Sequence, residues 1–171
     1  MMKRERILIT GFMAAGKTTV AALLAHKLGC PMLDLDQFIV EREGRSIHTI
    51  IEEEGEARFR EIEERALSEA LENKQARIIA LGGGTWTSER NRSMIARHNA
   101  LTIWLDVPFE LCWQRITGDQ ALVRPLARDF AQARRLYDSR REQYKLADLR
   151  VAVTEEQSAS MIAARIESSI R

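Results

Sequence analysis

The run Gly11-Phe12-Met13-Ala14-Ala15-Gly16-Lys17-Thr18 fits the pattern G-x-x-x-x-G-K-[ST]. That spacing serves one kind of chemistry, the holding of a polyphosphate. A glycine turn between a strand and a helix aims several backbone N–H groups at one point, beside the positive end of the helix. Lys17 can set its ammonium between the terminal phosphates, and the Thr18 hydroxyl can hold Mg²⁺. The flanks supply the required context: Ile7-Leu8-Ile9-Thr10 precedes the loop as a strand, and Val20, Leu23, Leu24 and Leu28 follow on one helix face. Ala14, Ala15, Gly16, Lys17, Thr18 and Thr19 are therefore the expected contacts to a nucleoside triphosphate.

Asp34 and Asp36 stand two apart in Met32-Leu33-Asp34-Leu35-Asp36, where strand alternation would send both carboxylates to one side. One can hold the hydration shell of Mg²⁺, which keeps waters and takes few protein ligands. The other can accept a hydrogen bond from a hydroxyl to be phosphorylated. Two solvated turn aspartates are the plain alternative. Gly82-Gly83-Gly84 follows the apolar run Ile78-Ile79-Ala80-Leu81. Three glycines cost backbone entropy and make sense where a ligand lies against the main chain, a flexible connector being the alternative. Trp86 nearby is an expected optical reporter of the site. Arg60, Arg124 and Arg140 surround these acids in sequence, and guanidinium forks suit carboxylate and phosphate. With 26 basic residues, most must be solvated or ion-paired, and residue chemistry alone does not single out these three. His26, His48 and His98 are scattered without ligand spacing, and no catalytic histidine is expected.

The elements that must position these groups are legible as an alternation. Strands are expected near 6–10, 32–35, 77–81, 100–105 and 148–153, with amphipathic helices between them, one carrying Phe59, Ile62, Ala66, Leu67, Ala70 and Leu71. Apolar strands without strict alternation imply helices on both faces, hence a three-layer α/β/α sandwich on a five-stranded parallel sheet with right-handed crossovers. Ligands gather at the carboxyl ends of strands in such sheets, where each motif above falls. Two excursions interrupt the alternation: a charged helical insert at 37–60, and a loop at 117–128, expected to be a lid. The 171 residues suit one domain spanning 1–171.

Composition excludes several roles. With 45% hydrophobic and 30% charged residues the balance is that of a globular domain, and a net charge of +1 gives no global field for nucleic acid or membrane. Acidic residues break up the basic cluster Arg134, Arg135, Arg140 and Arg141, and no aromatic platform accompanies it. No stretch reaches the roughly 18 apolar residues of a membrane span, nor does the start hold the apolar core of about 7–15 residues a secretory signal needs. A cytoplasmic protein is expected. Cys30 and Cys112 lack metal-ligand spacing and are expected to be buried thiols.

Together these residues resemble the shikimate kinases, over nearly the full length. The resemblance rests on Asp34-x-Asp36, Gly44-Arg45-Ser46-Ile47, Gly55-Glu56 with Phe59-Arg60, Gly82-Gly83-Gly84, Arg124-Pro125-Leu126, and Arg140 four before Tyr144. It implies a nucleoside-monophosphate-kinase-like member of the P-loop NTPases, a monomer that transfers the γ-phosphoryl of ATP to the 3-hydroxyl of shikimate with Mg²⁺. By position it implies that Asp36, Arg60, Gly82, Gly83, Gly84 and Arg140 bind shikimate, the arginines clamping its carboxylate. Lys17, Asp36 and Arg124 would be catalytic, Thr18 and Asp34 would hold Mg²⁺, and Arg115 and Arg124 would meet the nucleotide, Arg115 by stacking on adenine. Members usually carry glycine where this chain has Ala14, and leucine where it has Ala127. The stretch from Arg115 to Arg124 is slightly longer than the family pattern.

Overall fold

The computed structural model describes residues 6–73, 76–118 and 129–170. Five strands, β1 (Ile7–Thr10), β2 (Met32–Asp34), β3 (Ile78–Ala80), β4 (Leu101–Asp106) and β5 (Leu149–Ala152), form one sheet in the order β2-β3-β1-β4-β5. All pairs are parallel, and β1 lies at the centre, with Ile7 opposite Ile78 on one side and Leu101 on the other. Every residue of β1 is buried, because both sheet faces are covered.

Among the described residues the helices are α1 (Lys17–Leu28), α2 (Leu35–Glu43), α3 (Ile47–Glu54), α4 (Glu56–Glu72), α5 (Glu89–Arg97), α6 (Phe109–Gly118), α7 (Phe130–Tyr144) and α8 (Ala159–Ile170). From β1 the chain steps outward to β2, then returns through β3 and crosses to β4 and β5. Right-handed crossovers then put α1 on one face and α4, α5 and the α6–α7 pair on the other. The packing agrees: α1 lies on α8, α4 on α5, and α6 on α7. Adjacent strands β1 and β3 thus send their helices to opposite faces, and a crevice opens at their carboxyl ends. The glycine loop after β1 and Gly82–Gly84 after β3 both enter it. Leu8, Ile9, Leu24, Leu67, Ile78, Ile79, Ile103 and Ile166, all fully buried, are the centre of the core.

Three expectations need correction. Strand β2 ends at Asp34, and Asp36 lies in the first turn of α2. Asp34 is the helix N-cap, accepting from the Gln37 N–H at 3.0 Å, and the demand of that cap overrides strand alternation. The second excursion begins later than 117: Thr117 and Gly118 belong to α6, the Thr117 hydroxyl donating back to the Trp113 carbonyl at 3.0 Å. The remainder of that excursion, with Arg124, Pro125 and Leu126, lies outside the described residues. Cys112 is fully buried, but Cys30, just past the α1 C-cap, is only half-buried. The insert at 37–60 is helical as expected, made of α2, α3 and the start of α4.

Candidate active site

The glycine loop closes on the amino end of α1. Gly16 caps that helix in the left-handed region, φ 89°. The Lys17 ammonium donates to the Phe12 carbonyl at 2.9 Å, and the Thr18 hydroxyl donates to the Asp34 carboxylate across the crevice. Ala14, Gly16, Lys17, Thr18 and Thr19 line a cavity of about 540 Å³ together with Asp34 and Asp36. Ala15 does not reach it. Its side chain is buried, and it lines a neighbouring cavity of about 310 Å³ with Arg115, Val20, Gln157 and Ile162. The apolar walls of that second space and the Arg115 cation suit a planar base, and Gln157 and Ile162 carried no sequence signal for it.

Ala14 adopts φ 59°, a left-handed conformation that costs an L-residue roughly 1 kcal/mol. A hydrogen bond answers this strain: Arg115, from α6, donates to the Ala14 carbonyl at 3.1 Å. The alanine noted in the sequence therefore occupies a turn that glycine would enter without that cost.

A further cavity, sharing Met13, Asp36 and Gly83 with the phosphate cavity, is lined by Arg60, Glu63, Arg140, Gly82, Gly84 and the apolar Ile47, Ile51 and Phe59. The structure brings together here Asp36, Arg60, Gly82, Gly83, Gly84 and Arg140, the residues that the resemblance implies for the acceptor. The triple glycine has a second cause beside the one expected. A β-carbon on Gly82 would stand 2.7 Å from an Asp36 carboxylate oxygen, and one on Gly84 would stand 2.5–2.8 Å from the Arg60 guanidinium. Protein side chains, as well as any ligand, need that bare backbone.

Glu63 is the residue that sequence reasoning missed. Only 1% exposed, it pairs with Arg60 at 2.8 Å and accepts from the Thr85 hydroxyl at 2.6 Å. It falls four residues after Phe59 and four before Leu67 on the apolar stripe of α4, a place where a carboxylate must have partners. Burial disfavours the Arg60 cation, but Glu63 and Glu56 more than offset that and raise its pKa. Arg140 differs. It is 7% exposed, and burial lowers its pKa, with the nearby Arg60 cation adding to the effect. One turn on, the Tyr144 hydroxyl donates to the Gly83 carbonyl, fixing α7 against the glycines. Burial raises the Tyr144 pKa, so it stays a neutral phenol.

Hard oxygen donors, one hydroxyl and one carboxylate already in contact, fit a Mg²⁺ ion that takes its remaining ligands from water and phosphate. No cluster of three or more His, Cys, Asp or Glu suited to a metal exists among the described residues. None of the three histidines lines these cavities. Trp86 is buried and donates to the Gln143 carbonyl of α7 at 2.9 Å, beside the site and outside its walls. Among the described residues, no helix is long and apolar enough to cross a membrane.

Residues 13–171 match the family model for shikimate kinase. The chain is 37% identical to the shikimate kinase of Persephonella marina over 168 residues, which is 98% of this chain and 99% of that one. Among solved structures it resembles shikimate kinase from Acinetobacter baumannii in complex with shikimate, with a TM-score of 0.88 and 34% identity, covering 97% of this chain and 92% of that one. Shikimate kinase from Aquifex aeolicus gives a TM-score of 0.81 at 32% identity, covering 96% of this chain and 95% of that one. A glycine loop and an arginine-lined pocket that meet at one aspartate thus stand on the backbone these proteins share, and the chain belongs to the shikimate kinase family.

Proposed function

We propose that the chain is an ATP-dependent shikimate kinase, moving the γ-phosphoryl group of ATP to the 3-hydroxyl of shikimate and releasing ADP and shikimate 3-phosphate. The observation that carries this reading is the common wall: Asp36 lines both the phosphate cavity and the arginine-lined pocket. A hydroxyl held by Asp36 is then within reach of a phosphate end held by Lys17.

Phosphoryl transfer asks chiefly for positioning and for neutralising charge on the migrating group. Lys17 exchanges its bond to the Phe12 carbonyl for the phosphate oxygens, and Arg124 adds a second cation by family position. Backbone N–H groups at the amino end of α1, residues 16–19, hold the remaining phosphates. Thr18 and Asp34 hold Mg²⁺, which when bound offsets phosphate charge. Because the transition state is loose, Asp36 orients the hydroxyl and takes its proton late, as a weak base. Arg60 and Arg140 clamp the acceptor's carboxylate. A buried guanidinium whose pKa is lowered by burial, with the nearby Arg60 cation adding to the effect, supports an anion as the group this pocket takes. Glu63 keeps the Arg60 fork aimed inward. Arg115 meets the adenine. Residues 1–171 act as one domain, a cytoplasmic monomer with neither nucleic-acid nor membrane partner.

The test is ADP release with ATP and Mg²⁺, comparing shikimate, quinate, gluconate and no acceptor. Release that depends on shikimate alone is expected. Release with another acceptor moves the arginine pocket to a different substrate, and ATP binding without acceptor-dependent release removes the kinase reading.

A further inference from the structure

Arg115 hydrogen-bonds the phosphate loop at its strained residue. Its guanidinium donates to the carbonyl of Ala14 at 3.1 Å, across 101 residues of sequence. The carbonyl of Ala14 and the N–H of Ala15 belong to one planar peptide unit, so fixing one end fixes the other. That N–H donates to the Phe12 carbonyl at 3.2 Å, and the same oxygen accepts the Lys17 ammonium at 2.9 Å. A continuous path of hydrogen bonds therefore runs from Arg115 through the Ala14–Ala15 peptide to Lys17.

We propose that Arg115 is a positioning residue for the phosphate loop, holding the left-handed turn at Ala14 and, through the Phe12 carbonyl, the place of Lys17 before a polyphosphate binds. This role is separate from any contact with the nucleotide base and rests on the reading of residues 11–18 as a polyphosphate site. An alanine at φ 59° is strained, and rotation about its own bonds would relieve it. That rotation would turn the 14–15 peptide and break its bond to Phe12. Arg115 opposes the rotation from outside the loop, from α6. A glycine at position 14 enters the left-handed region freely and depends less on such a restraint. The need for Arg115 thus follows from the residue this chain carries at 14.

Inorganic tripolyphosphate, without metal, is the probe, because it occupies the phosphate cavity and has no base for Arg115 to meet. Its Kd is measured by calorimetry for the parent chain, Arg115→Lys, Ala14→Gly and the double variant, with Arg115→Gln as a second substitution. Lysine keeps the charge and loses the guanidinium geometry. In the parent background Arg115→Lys is expected to weaken binding about tenfold, and in the Ala14→Gly background by about threefold or less. Equal losses in the two backgrounds, or no loss in either, would overturn the proposal. So would a loss that follows the melting temperatures of the four proteins with no coupling between the sites. Failure of the parent chain to bind tripolyphosphate would overturn the phosphate-loop reading itself, and this inference with it.

Discussion

The phosphate cavity and the acceptor pocket share a wall but are built on opposite plans. The first draws half of its lining from one short run, Met13 to Thr19, with Asp34, Asp36 and Gly83 facing it, and that run offers main-chain groups at one helix end. The second draws on α2, α4, the turn after β3 and α7, and acts through Asp36, Arg60, Glu63 and Arg140. Its charges are held by other charges: Arg60 by Glu63 and Glu56, with Arg140 buried beside them. A site made of backbone tolerates many substitutions in its side chains. A site made of buried ions tolerates few, because removing one member leaves another unpaired in a poor solvent.

Substitutions that act on one side alone are the sharpest way to break this contrast. Asp36→Asn should produce the largest effect, a loss of turnover of about 10³-fold with ATP affinity retained, measured by steady-state kinetics beside nucleotide titration. Near-normal turnover would remove Asp36 from the chemistry. Gly84→Ala comes next. Its methyl would stand 2.5–2.8 Å from the Arg60 guanidinium, which must move, and the KM for the acceptor should rise about tenfold or more with the ATP KM held within about twofold. A parallel rise in both constants would mean that the two regions are not separable. The smallest effect concerns Cys112, in α6 beneath the phosphate end. Burial pushes its thiol up from 9.0 to about 11. Folded stability from this group is therefore intact below pH 9 and declines from there to pH 11, as the unfolded thiol ionises and the folded one does not. Chemical denaturation at pH 8 and pH 10 should show a decline that is shallower in Cys112→Ala, and an identical slope would place the thiol nearer to solvent.

The same contrast explains what was legible in the chain. The phosphate loop is local, so the pattern around Lys17, its preceding strand and its following helix gave it directly, and the five strands fell within about two residues of expectation. Asp36 does line the crevice, but a helix cap at Asp34, not strand alternation, sets it there. The glycines after β3 were recognisable as a site, but the side chains they make room for come from α2, α4 and α7, and only folding brings those together. Glu63 had a local mark, a carboxylate on a buried helical stripe three residues from Arg60, though its second partner Thr85 lies 22 residues away. Nothing local marks Arg140 as buried, since a charged residue on an amphipathic helix ordinarily faces water.

The wall common to the two cavities, made of Met13, Asp36 and Gly83, also bears on inhibition. Two ligands divided by so little protein are close to being one ligand. A compound joining a carboxylate-bearing ring to a short anionic chain would meet Arg60 and Arg140 with one end and Lys17 with the other in a single event, and its second contact would form at the high local concentration that tethering provides. Rigidity of the join would matter more than its length, because the join must pass Asp36, which stands at the crossing.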